Sequence, residues 1–233
     1  MVGANVGTLS LGENRIVGSG QALSLSNGTV VELAGAAFTQ VSSTSGTNNI
    51  SLSSINGSLN LGTGALSGAS GTAFVITGGT ANISYEGTVT ANTGQRPLSV
   101  ASKTGGTVSL RGAVSSAHQG VSLSSNTGAT VRFSGGLSLS TGANAAFVAS
   151  GGGTVEVCDE EPCNPAATGA VVNSLSTTSA AALQVSSTTI GANGLEFRSI
   201  SSSGASSGIV LDTTGSSGGL SVKGNGGDCT AAT

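Results

Sequence analysis

The sequence predicts an all-β chain, wound as one right-handed parallel β-helix of about nine coils of roughly 24 residues. Three observations predict it. Short apolar pairs recur with one period in two independent phases, the strands they imply are too short to stand alone, and the composition is dominated by Gly, Ser and Thr. In 233 residues there are 39 Gly, 40 Ser and 27 Thr, 106 in all or about 45%, while charged residues make up only 7%. Ordinary soluble domains carry about 25% charge, so helical bundles, coiled coils and most α/β enzymes are excluded. Composition alone would suggest low-complexity disorder, but the periodicity overrules that reading.

The first phase is a small–apolar–x–apolar pattern at Leu9/Leu11, Val31/Leu33, Leu59/Leu61, Ile83/Tyr85, Val108/Leu110, Val131/Phe133 and Val155/Val157. The second runs through Leu23/Leu25, Ile50/Leu52, Phe74/Ile76, Leu98/Val100, Val121/Leu123 and Ala146/Val148. Beyond residue 165 both resume, Leu183/Val185 leading to Ile209/Leu211 and Leu195/Phe197 to Leu220/Val222. Each unit holds two or three strands of 3–5 residues alternating with period 2, which cannot form a self-sufficient hairpin sheet. A coil that returns to the same place stacks strand on strand at ~4.8 Å and buries the aliphatics in a continuous column. Gly78-Gly79, Gly105-Gly106, Gly135-Gly136 and Gly151-Gly152-Gly153 punctuate the coils where positive φ is expected. A β-sandwich or barrel is the competing fold. Its Asn-Gly hairpin signals occur at Asn27-Gly28, Asn56-Gly57 and Asn193-Gly194, but not between every pair of strands. The scarcity of Pro (3) and Phe (5) fits a narrow core of Val, Leu, Ile and Ala.

Residues between the inward pairs point outward. Ser10, Glu32, Asn60, Ser84, Ser109, Arg132 and Glu156 form one such column, polar and mostly uncharged, with Arg132 and Glu156 as an exposed pair worth at most ~1 kcal/mol. A net charge of −3, from 7 basic and 10 acidic residues, offers no surface for a row of phosphates, so nucleic acid is not an expected partner. No stretch approaches the ~18 apolar residues of a membrane helix. The first residues, Met1 to Gly7, lack the basic and apolar regions of a secretory signal. Both ends are expected to continue into, or to have been cut from, a longer protein, with 1–233 forming one solenoid segment.

No catalytic or cofactor site is expected. The carboxylates Glu13, Glu32, Glu86, Glu156, Glu196, Asp212 and Asp228 stand apart, and only Asp159-Glu160-Glu161 cluster, as a solvated loop tip. His118, the one histidine, lies in a turn without a Ser or Cys partner and is read as exposed. The Ca²⁺ β-roll pattern has a single near match, Gly224 to Asp228, where such sites need repeated copies. An ice-binding face would need ranks of Thr-x-Thr, and only Thr88-Val89-Thr90 is found.

Cys158 and Cys163 bracket six residues directly after the strand Val155–Val157, at the start of a loop excursion over 158–168. A disulfide there suits an oxidising extracellular compartment; zinc, the alternative, would want two more ligands that the sequence does not supply. Cys229 is then unpaired, its partner expected beyond Thr233.

The run from Thr188 to Ile200, with Gly208-Ile209-Val210-Leu211 and Gly215 to Val222, resembles very large bacterial surface proteins with β-strand repeats, similar to autotransporter passenger domains and filamentous-haemagglutinin-like adhesins. The resemblance implies a secreted or surface-displayed stalk serving structure or adhesion, with a host or surface glycan or protein, or further copies of itself, as partner. The family has no shared catalytic residues to carry over. An alternative of another class is a polysaccharide-binding or polysaccharide-cleaving β-helix of the pectate-lyase kind. It would require Glu196, Arg198, Asp212 and Lys223 to converge in one groove.

Overall fold

A computed structural model describes residues 1–33, 35, 37–164 and 172–224. Among them every regular element is a strand, and every strand pairing is parallel. The chain is a parallel β-solenoid of about eight turns with three faces. The first face stacks strands such as Phe74–Thr77, Leu98–Ala101, Val121–Ser124, Phe147–Ser150, Leu183–Ser186 and Ile209–Asp212. The second stacks Asn82–Tyr85, Thr107–Leu110, Thr130–Phe133, Thr154–Val157, Thr189–Phe197 and Leu220–Val222. These are the two predicted phases. Towards the N-terminus the two faces merge, because Val2–Leu11, Leu23–Glu32 and Ile50–Asn60 run unbroken round the corner between them.

A third face was not separable from the sequence. It stacks Asn14–Gly18, Phe38–Ser43, Ala65–Leu66, Thr88–Thr90, Val114–Ser116, Leu137–Ser140, Ser174–Thr177 and Ser199–Ser202. Its inward column passes through Leu66, Val89, Val114 and Leu137. With a two-residue strand in the series, the apolar spacing alone could not reveal it.

The register explains the core. Leu23, Ile50, Phe74, Leu98, Val121, Phe147 and Leu183 lie in one buried file, and Ile83, Val108, Val131, Val155 and Ile190 in another. All five Phe and the one Tyr are buried, so the core is less purely aliphatic than expected. Phe133 and Phe147 meet edge to face at 5.6 Å, and Tyr85 satisfies its hydroxyl on Val41 O at 2.8 Å.

Two inward assignments shift by one residue. Val31 and Leu33 are exposed, and Val30 faces the core beside Leu9. The first coil has one more residue between Ala4 and Gly7 than the second has between their partners Ser26 and Gly28, so the alternation is offset and Glu32 comes to lie beside Leu11 rather than in the outward column. Its carboxylate folds back onto Ala37 N, Ser58 Oγ and Asn60 N. Likewise Phe147 and Ala149, not Ala146 and Val148, pair with Val121 and Leu123. Ala146 is buried, but as the last residue of the preceding turn.

One corner is conformationally invariant. The residue that follows each first-face strand segment has positive φ in nine successive levels: Asn5, Asn27, Ser54, Gly78, Ser102, Ser125, Gly151, Ser187 and Thr213. Small or short polar side chains are the L-residues that tolerate this region. Its neighbour turns inward, burying Ile55, Lys103, Asn126 and Thr188. Not every predicted Gly turn uses positive φ: Gly135 is needed instead for close approach, since a Cβ there would fall 2.1 Å from Arg111 O.

The left-handed corner generates a test. Ser125 is exposed with φ 55°, so Ser125→Gly should raise stability in urea unfolding by about 0.5–1 kcal/mol, and Ser125→Val should lower it by about 1–2 kcal/mol. Equal stabilities would show the corner to be unstrained.

Candidate functional site

The excursion sits at the corner between the second and third faces. Phe147 stands beside Leu183, 36 residues on, whereas Phe74 and Leu98 are 24 apart, so this coil carries about a dozen extra residues. The ladder holds up to the insertion, with Cys158 N donating to Phe133 O at 2.9 Å, and is resumed after it by Arg198 N on Asn173 O at 2.8 Å. Cys158 and Cys163 are joined by a disulfide, Cα atoms 5.6 Å apart, across the base of the insertion. Asn173, fully buried, closes the neck by donating from Nδ2 to Cys158 O, Asp159 Oδ1 and Glu196 O. The remainder of the predicted excursion, 165–168, lies outside the described residues, as do Cys229 and Asp228.

The acidic run is not a freely solvated tip. Glu161 accepts from Ser134 Oγ at 2.7 Å, one coil back, and lies 3.5 Å from the Arg111 guanidinium two coils back. Arg111 also reaches Glu86 at 3.7 Å, which extends the contacts to a further coil. Burial holds the Asp159 carboxyl above its ordinary range, the nearby Glu196 carboxylate adding to it against hydrogen bonds from Val172 and Asn173.

Of the four residues whose convergence an enzyme would need, two meet. Glu196 pairs with Lys223 at 2.8 Å on the second face. Asp212 belongs to the first face, where it accepts from Thr213 Oγ1, and Arg198 follows Phe197 with its side chain exposed. Among the described residues, no group of three or more His, Cys, Asp or Glu side chains is placed to hold a metal ion.

Arg132 and Glu156 stack as expected, but they do not form an exposed pair. Glu156 is 5% exposed, because the next coil bulges over it: Val155 pairs with Ile190 and Val157 with Leu195, leaving Gly191 to Gly194 to arch across the carboxylate. Gly191 makes room for it, since a Cβ there would stand 2.3 Å from Glu156 Oε1 and displace the carboxylate. Arg132 binds Oε2 at 2.7 and 2.8 Å, and Asn193 binds Oε1 through both its backbone N and its Nδ2. Burial alone would raise this carboxyl, but the Asn193 and Arg132 contacts outweigh it and hold the group below the usual Glu range.

Lys103 escaped the sequence reading. It occupies the inward position at the invariant corner, 0% exposed, with Nζ donating only to Ala81 O at 2.8 Å and no ion pair among the described residues. Burial pulls its pKa from 10.5 down to about 8. The signal available in the sequence was its place three residues after the Val100 strand position, where other coils carry Ile, Asn or Thr.

The outer surface is a lattice of hydroxyls. On the third face Thr90, Ser115, Ser138, Ser174 and Ser199 are in register, and Ser140, Ser176 and Ser201 form a parallel column. On the second, Thr107, Thr130, Thr154 and Thr189 align, but their neighbours are Ser109, Arg132 and Glu156, so no rank of Thr-x-Thr arises. The turns 91–96 and 117–119 rise beside the third face and enclose a shallow concavity of about 430 Å³ with Thr90, Asn92, Thr93, Ser115, His118 and Ser138 among its lining. His118 lies in a turn, as read, but is half-buried rather than plainly exposed. The turns are tied together by Gln119 Nε2 on Gly94 O and Asn144 Nδ2 on His118 O.

Comparison with known protein families, with curated sequences and with solved structures returns no match in any of the three. Among the described residues no helix is long and apolar enough to cross a membrane.

Two buried charges give opposite expectations. For Glu156, whose folded pKa is depressed, the contribution is present above the unfolded value of about 4.3 and is lost as pH falls through the lower folded value. Glu156→Gln should therefore cost about 1–3 kcal/mol at pH 7 and much less at pH 2–3 by urea unfolding; a pH-independent difference would contradict the ion pair. For Lys103 the penalty is fully present below about pH 8 and disappears above about 10.4. Lys103→Met should stabilise the protein by on the order of 2 kcal/mol at neutral pH, with the gain shrinking through that window. A destabilised Met variant would mean that the Ala81 hydrogen bond outweighs the burial of the amine.

Proposed function

We propose that this chain is a non-enzymatic structural or adhesive module of a bacterial surface or secreted β-helical protein, able to stack end to end. The observation that carries this reading is the parallel coil-on-coil stacking beneath an almost uncharged Ser/Thr surface. Such a rod offers strand edges at its ends, and unpaired edges are templates for association. The last described coil supports it: Ile209, Leu211 and Val222 continue the buried files of Leu183, Val185 and Phe197, yet are 42%, 41% and 49% exposed. A further coil, in the same chain or in another copy, would bury them. The Cys158–Cys163 bridge favours an oxidising, extracellular setting.

A second reading is polysaccharide binding, favoured by the concavity on the third face. Its lining carries hydroxyl and amide groups with no carboxylate, which suits a neutral polyhydroxylated chain better than hydrolysis, for which paired carboxylates are the usual equipment.

Negative-stain imaging and sedimentation across a concentration series separate the two. Filaments of uniform width that lengthen with concentration are the outcome expected for the structural module. A strictly monomeric rod at the highest concentration would remove self-assembly. If that rod retained neutral glycans and lost them on His118→Ala or Asn92→Ala, the second reading would replace the first.

A further inference from the structure

We propose that the Cys158–Cys163 disulfide and Glu161 form a redox-released clamp that fastens the coil carrying the insertion to the two coils before it. The clamp is a different matter from the rod's function, and it rests on the disulfide and on the contacts of Glu161 and Asp159. The bridge ties Cys163 to the ladder residue Cys158. Glu161, inside the closed segment, then meets Ser134 and Arg111 in successive coils. Asp159, at its other end, takes Asn173 Nδ2 at 2.6 Å and Val172 N at 3.2 Å, so both strands of the neck are held. Without the bridge, Glu161 would be held to the ladder through the backbone from Cys158 alone, and ordering the segment from Cys158 to Glu161 costs entropy at every residue.

The two sulfurs differ in access. Cys158 is 1% exposed, with its Sγ 3.5 Å from Phe133 O, whereas Cys163 is half-exposed. A small dithiol, as thiolate, therefore attacks Cys163 Sγ. The bond to Cys158 breaks, and its electron pair leaves on Cys158 Sγ, which takes a proton. The second thiolate of the reagent closes on its own sulfur and expels Cys163 as a thiolate, which is protonated in turn. Two cysteine thiols and one cyclic reagent disulfide result.

The 233-residue chain, with Cys229 alkylated beforehand, would be followed by hydrogen exchange with mass spectrometry before and after dithiothreitol. Reduction is expected to speed exchange at the amides of Arg111, Ser134 and Cys158 tenfold or more, while Ser102 and Ser125, on the far corner of the same coils, stay unchanged. Glu161→Ala, with the bridge intact, should reproduce the change at Arg111 and Ser134 only. Cys163→Ser, at the half-exposed position, should mimic reduction if variants at Cys158 fail to fold. Unchanged exchange on reduction, uniform acceleration across all these amides, or a non-reduced peptide map without the Cys158–Cys163 link would each overturn the clamp.

Discussion

Every level of this molecule depends on the backbone hydrogen bonds that run from one coil to the next. No coil can pair its own strands, since each face receives only a few residues per turn; the N–H and C=O groups of a strand find partners only in the coils above and below. In-register stacking then follows, because a slip of one residue would turn a whole apolar file outward. The buried file from Leu23 to Leu183 is the visible result, and the surface hydroxyl columns are its mirror image.

The period, the parallel architecture and most inward residues were legible because alternation and repeat length are both written in the chain. What was lost was lost for local reasons. Val31 and Leu33 look inward by pattern, but the second coil is one residue shorter than the first at its corner, which changes the phase before they are reached. The third face contains a two-residue strand, Ala65–Leu66, too short to give a period. The clustering of Asp159 to Glu161 was plain, yet their engagement by Ser134, Arg111 and Asn173 depends on which coils the insertion folds against, and no spacing encodes that. Glu156 was placed correctly opposite Arg132, but its burial comes from a bulge 35 residues later.

The buried polar groups show how the core tolerates exceptions. Glu156 is stabilised by converging donors, in keeping with the rule that buried charges survive when paired. Lys103 has one carbonyl and a depressed pKa, an arrangement that lowers stability at neutral pH rather than adding to it. A long ladder can carry such a defect, since the neighbouring coils hold the corner in place from both sides.

The scarcity of charge on the outer faces has a consequence for the solvent. Ionic strength acts on proteins through screened charges, with a Debye length of about 10 Å at 0.1 M salt. Here the exposed lattice is chiefly Ser and Thr hydroxyls, whose hydration does not depend on counterions. The rod should keep much the same surface in dilute and in briny water, an indifference that a charge-clad protein of this size does not have.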